Sequence, residues 1–226
     1  KVVSQLVENP DLVTQLGGDQ RVMTVFFSDI ASFSTISENV TPVELVELLN
    51  EYLSEMCDIV ALHDGTIDKF EGDAIMAFWG APMIMDDHAR ASVFACIDMQ
   101  QKIKELREKF EREGRMIELR QLWEDQGRGE FLRVRMGVNT GEMVVGNLGS
   151  HSRVDYTVMG DAVNLASRLE GAGKAYGITT MISEETLRAA GDICEVRSLD
   201  SIRVVGKDEP VRVFESIDLP FGAEKP

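Results

Sequence analysis

Residues 66–79 constrain this chain more tightly than any other stretch. Thr66-Ile67-Asp68-Lys69-Phe70 and Ile75-Met76-Ala77-Phe78-Trp79 are short runs rich in β-branched and aromatic residues, separated by a segment containing Gly72-Asp73. That pattern predicts a β-hairpin. Alone, Asp73 reads as a residue that shapes the turn. A second carboxylate, Asp29, ends the apolar run Val25-Phe26-Phe27-Ser28 just before Ile30, and singly it reads as an N-cap. If the two strands are neighbours in one sheet, the carboxylates lie side by side. Two hard oxygen ligands on rigid strands suit Mg²⁺, which binds through one or two carboxylates and the phosphates of its substrate.

The rest of the chain interleaves helices with strands. Thr41-Pro42 and Glu44 form a capping-box signature, and Val46, Leu49, Leu53, Met56 and Val60 follow at helical spacing as one apolar face. A second helix is predicted from Asp86-Asp87, with Val93, Ile97, Ile103, Leu106 and Phe110 on its apolar side and a solvated half in which Lys104–Glu108, Glu105–Lys109 and Glu108–Arg112 pair. Residues 114–130, including Trp123, carry no clear signal. Leu132–Asn139 alternates as a strand, Thr140-Gly141-Glu142 reads as a turn into 143–146, and a strand at 154–158 leads to a helix at 161–174. A strand at 180–182, a helix at 184–189 and strands at 202–205 and 211–214 close the chain. Hairpins with interleaved helices predict an α+β fold with helices on a mixed sheet.

Composition removes several classes of function. With 39 carboxylates against 23 Lys and Arg, the 226-residue chain carries a formal charge of −16, which disfavours nucleic acid and anionic membrane as partners. It would also repel a bare nucleotide, so metal ions and locally placed cations become necessary. No segment approaches the ~18 apolar residues of a membrane span. Cys57, Cys96 and Cys194 form no CxxC pair and suit a reducing, cytoplasmic setting, while His63, His88 and His151 lack metal-ligand spacing. The start at Lys1, without Met, leads us to expect a missing upstream sensor or membrane module. Residues 1–20 would be its connector, 21–218 the main domain and 219–226 a tail. Gly17-Gly18-Asp19 superficially matches the diguanylate cyclase motif, but Gln20-Arg21 follow and no hairpin surrounds it.

Three blocks in order resemble the class III nucleotidyl cyclase catalytic domains: Phe27-Ser28-Asp29-Ile30 with Phe33, Asp68-Lys69-Phe70 with Gly72-Asp73, and Tyr156 through Glu170. The resemblance spans about residues 20 to 216. It implies a ferredoxin-like, palm-like core, a head-to-tail homodimer with shared active sites, and ATP as substrate. It also implies two Mg²⁺ or Mn²⁺ ions per site, held by Asp29, Asp73 and the carbonyl of Ile30. By the same resemblance Asn164 and Arg168 are the catalytic pair, orienting the ribose and stabilising charge at the α-phosphate. Lys69 and Thr157 read the base, with Lys207 on the terminal phosphate and Phe33 beside the substrate.

Asn164 and Arg168 stand four apart, on one helix face; on an unidentified helix they would read as an incidental polar pair. Lysine, a pure donor, complements N1 of adenine, whereas Thr157 can donate or accept and discriminates less sharply than the Asp of many adenylate cyclases. The Thr form resembles a bacterial-type subgroup stimulated by bicarbonate; a bicarbonate series at fixed pH with no change in turnover would remove that expectation. The leading expectation is an adenylate cyclase making cAMP and pyrophosphate. The alternatives are a guanylate or dual-specificity cyclase, and a catalytically silent module that binds nucleotide.

Overall fold

The computed structural model describes residues 17–150, 153–203 and 210–218. Its first element is a long strand, β1 (Gly17–Ile30), and the hairpin expected at 66–79 follows as β2 (Thr66–Glu71) and β3 (Ala74–Trp79). Next come β4 (Val134–Ser150), β5 (Arg153–Met159), β6 (Thr180–Ser183), β7 (Glu195–Ile202) and β8 (Val211–Asp218). They form one eight-stranded sheet in the order β2-β3-β1-β4-β6-β8-β7, with β5 paired to β4. The β4–β6 pair is parallel and the other ladders are antiparallel. The sheet is therefore mixed, mostly antiparallel and flanked by helices, as the sequence predicts.

The helices are α1 (Phe33–Glu38), α2 (Pro42–Leu62), α3 (His88–Arg112), α4 (Ile117–Asp125), α5 (Asp161–Tyr176) and α6 (Glu184–Ala190). The capping box forms at α2: Thr41 Oγ1 accepts from Glu44 N at 3.3 Å, and Glu44 Oε2 accepts from Thr41 N at 2.9 Å. The buried face of α2 is Leu48, Tyr52, Met56, Ile59 and Val60, while Val46 is 56% exposed. The apolar stripe is thus rotated from the one first read, because Tyr52 and Ile59 are core residues. The basic residues of α3 pair partly across to α2, through Lys109–Glu51 and Lys102–Glu55 at 3.6 Å, and within the helix through Lys102–Glu105 at 2.8 Å.

Alternation along β1 and β3 separates two cores. Phe26, Ile30, Ile75, Ala77 and Trp79 face α2 and α3; Met23, Val25, Met76 and Phe78 pack with Ala162, Val163 and Ala166 of α5. On this second side α5 lies directly against β4. A Cβ on Gly137 would come within 2.2 Å of Glu170 N and 2.3 Å of Ala166 O, and one on Gly141 within 2.9 Å of the Ala162 Cβ. Asn139, between them, donates through Nδ2 to Ala162 O at 2.9 Å. Strand glycines here admit a helix.

Several expectations shift. Thr140-Gly141-Glu142 do not turn; they pair with Thr24, Met23 and Val22 inside the continuous β4. Gly17–Gln20, expected in a connector, pair with Asn147–Val144 as the start of β1. The penultimate described strand is Glu195–Ile202, which takes in the first residue of the stretch expected at 202–205; 204 and 205 lie outside the described residues. Unanticipated α1 and α4 occupy 33–38 and part of 114–130. His63 and His88 are structural: His63 Nε2 lies 2.8 Å from Asp98 and His88 Nδ1 2.8 Å from Thr24 Oγ1.

Candidate active site

The sheet register brings the two carboxylates together. Ser28 pairs with Ile75, so one and two steps further along β1 Asp29 and Ile30 reach the β2–β3 turn that carries Asp73. Ile30 N donates to Asp73 Oδ2 at 2.9 Å. Asp73 is 8% exposed, and burial, reinforced by the charge of Asp29, pushes its carboxyl up to about 6 despite the Ile30 hydrogen bond. The pair crowds negative charge where a cation would relieve it.

Across the ladder, Asp29 pairs in register with Arg135 of β4. Arg135 donates through Nη2 to Asp29 and through Nε to Glu170 Oε1 at 2.9 Å. Burial pushes the Glu170 carboxyl up, and Arg135 partly offsets this. Sequence reading passed over both residues. Arg135 alternates with the core positions Val134 and Met136, so a register placing it beside Asp29 would have revealed it.

Asp29, Ile30, Phe33 and Asp73 line a cleft of about 420 Å³ with Arg128, Arg133, Arg135 and Lys174 on its walls. Trp123 of α4 also lines it, with the Arg128 guanidinium 5.4 Å from its ring centroid. Residues 114–130 therefore help wall the cleft. Four cations against three carboxylates, Glu130 being the third, suit a polyanion that arrives with metal ions. Among the described residues no three His, Cys, Asp or Glu cluster as a closed metal cage. The open acidic pair fits Mg²⁺ or Mn²⁺ completed by substrate oxygens.

The second predicted cluster also assembles. Thr157 Oγ1 donates to Asp68 Oδ2, Val158 N donates to the same oxygen at 3.3 Å, and Lys69 Nζ lies 3.2 Å from Asp68 Oδ1. The Asp68 side chain is 1% exposed, whereas that of Lys69 is 41% exposed. A register shift between Ile67 and Lys69 makes Asp68 the extra residue of a bulge, so that two consecutive side chains act at one place.

Asn164 and Arg168 lie on the exposed side of α5, opposite its buried Ala162, Val163, Leu165, Ala166 and Leu169. Neither lines the cleft that holds Asp29 and Asp73. Lys207 lies outside the described residues.

The description "Adenylate and Guanylate cyclase catalytic domain" matches residues 18–214. The chain belongs to this family. It is 35% identical over 195 residues to adenylate cyclase 1 of Rhizobium meliloti (strain 1021), covering 86% of this chain and 27% of that protein. It is 36% identical over 200 residues to the adenylate cyclase of Anabaena cylindrica, covering 86% and 36%. The chain thus spans about a quarter to a third of these relatives. Among solved structures, the adenylyl cyclase CyaB from P. aeruginosa shares 38% identity at a TM-score of 0.75, covering 92% of this chain and 100% of that one. The guanylyl cyclase Cya2 shares 33% identity at a TM-score of 0.75, covering 92% and 97%. The class III cyclase fold is therefore shared with enzymes of either base preference. No described helix is long and apolar enough to cross a membrane.

Proposed function

We propose that this domain is an adenylate cyclase that converts ATP to 3′,5′-cyclic AMP and pyrophosphate. The observation that carries the reading is the meeting of Lys69 and Thr157 at Asp68, away from the residues that line the carboxylate cleft. The ribose 3′-oxygen attacks the α-phosphorus, a new O–P bond forms, and pyrophosphate leaves. Asp29 and Asp73, with the carbonyl of Ile30, would hold two Mg²⁺ or Mn²⁺ ions, which when bound would supply charge neutralisation and lower the pKa of the 3′-hydroxyl. The cationic walls of the cleft bind the triphosphate. Asn164 orients the ribose, Arg168 meets charge growing at the α-phosphate, and Lys207 serves the terminal phosphate; positioning and electrostatics do most of the work.

Asn164 and Arg168 face outward from α5 and are not among the residues lining the cleft, which only the far end of that helix, Gly173 and Lys174, reaches; this supports a head-to-tail homodimer. Each site takes Asp29 and Asp73 from one protomer and Lys69, Thr157, Asn164 and Arg168 from its partner, giving two equivalent sites. A guanylate cyclase is the second reading, favoured by the equal structural likeness to a guanylyl cyclase.

Product formation from ATP and from GTP with Mn²⁺, over a range of protein concentrations, tests the proposal. We expect cAMP from ATP and a loss of at least about 10³-fold in Asp73→Ala, the rate equivalent of several kcal/mol of metal-borne stabilisation. No cyclic product from folded dimer would overturn it, and cGMP in excess would select the second reading.

A further inference from the structure

We propose that Asp68 is a specificity-determining positioning residue: it takes the hydroxyl proton of Thr157 and so makes Thr157 an acceptor toward the base, while tethering Lys69 beside it. The inference rests on the base-reading roles proposed above for Lys69 and Thr157.

A carboxylate can only accept. The three groups around Asp68 are accordingly donors: Thr157 Oγ1–H and Val158 N–H on Oδ2, and the Lys69 ammonium on Oδ1. A threonine hydroxyl has one proton. With that proton spent inward on a side chain 1% exposed, Thr157 offers only lone pairs to a ligand. The ambiguity of threonine, which can ordinarily donate or accept, is removed by its neighbour.

The resulting pair presents one donor, Lys69, next to one acceptor, Thr157. Adenine offers the complement on adjacent atoms, the acceptor N1 and the donor N6 amino group. Guanine offers the reverse, a protonated N1 and the acceptor O6, so both contacts become repulsive. Bulging β2 at Asp68 is what allows the carboxylate and Lys69, consecutive in sequence, to serve the same place. Asp68 need not touch the nucleotide; it acts through the two residues that do.

The test uses the full chain and kcat/KM for ATP and for GTP. Asp68→Asn is isosteric, but its amide has one acceptor oxygen and one donor NH₂. Whichever way it turns, one of the two readers faces a donor. We expect the ATP-to-GTP ratio to fall about tenfold or more, the equivalent of roughly one net hydrogen bond. Thr157→Val should lower the ratio too, and the double variant should lose less than the product of the two single losses. Asp68→Ala, read in the same way, serves if the Asn variant does not fold.

Equal falls for ATP and GTP, leaving the ratio intact, would reduce Asp68 to a structural residue and overturn the inference; strictly multiplicative losses would do the same. An active wild type that prefers ATP, with Asp68→Asn unchanged, defeats this inference alone. A wild type without cyclic product defeats the proposed activity. The ratio of ATP to GTP dissociation constants, measured by calorimetry, then decides the inference by the same criterion.

Discussion

The carboxylate cleft and the Asp68 cluster proposed to read the base are both built on acidic residues of or next to one hairpin, yet they stand in opposite electrostatic states. Asp68 is surrounded by three donors and is satisfied within its own protomer. Asp73 is buried beside another carboxylate, with its carboxyl pushed up to about 6. The first region is organised before any ligand arrives. The second holds charge at Asp73 that a bound cation or a proton would relieve, and strongly perturbed groups are candidates for functional sites.

The contrast breaks if one protomer carries a complete site. Asp73→Ala and Asn164→Ala, each inactive alone, should recover about one quarter of wild-type activity when mixed in equal amounts and allowed to exchange. Half the dimers are then mixed, and by two-fold symmetry each mixed dimer has one intact site of two. Activity of the mixture no higher than the single variants, with mixed dimers verified by mass, would place the whole site within one chain.

A smaller effect sharpens what links the two regions. The helix α5 borders them both, since Glu170 touches Arg135 in the cleft and Ala162 and Val163 share a core cluster with Val158, whose N–H meets Asp68. Its seat depends on Gly137. Gly137→Ala would drive a methyl group into helix backbone at 2.2 Å from Glu170 N, and overpacking against rigid backbone should cost about 3 kcal/mol. Urea unfolding gives the value; a cost below about 0.5 kcal/mol would mean that α5 rides loosely on β4.

Least in size but opposite in sign is Asp73→Asn. The amide oxygen can still accept from Ile30 N, and the buried charge beside Asp29 is gone. Without metal at neutral pH the variant should melt about 2–4 °C higher, corresponding to about 1 kcal/mol in a chain of this size, while cyclase activity is lost. A carboxyl raised in the folded state binds its proton more tightly there than when unfolded. Wild-type stability therefore rises as pH falls through 6 toward 4, and the advantage of Asn should shrink over that window. A melting point lower than wild type at pH 7 would show that the acidic pair is not strained.

What was legible in the sequence divides along the same line. Local chemistry read out directly: the capping box at Thr41 and Glu44 and the hairpin around Gly72-Asp73 follow from short-range pattern, while the meeting of Asp73 with Asp29 depends on their strands being neighbours, a condition the β1–β3 register meets. The misreadings arose where a residue's reason lies on another element. Gly141 looked like a turn because glycine usually is one, whereas here it makes room for Ala162. Arg135 drew no notice, and Asp68 was named in its motif without a role, because each owes its importance to a cross-strand partner, Asp29 in one case and Thr157 in the other. Val46 was assigned to the core from spacing alone, which does not see that Tyr52 fills the space.

The clasp of Arg135 between Asp29 and Glu170 has a thermodynamic consequence. The guanidinium serves as a resident counter-ion, so under the proposed function a dication arriving at Asp29 would enter by exchange and set a positive charge free for the triphosphate. Linkage would then require each to raise the affinity of the other by the same factor, making cation and nucleotide mutual effectors through a single arginine.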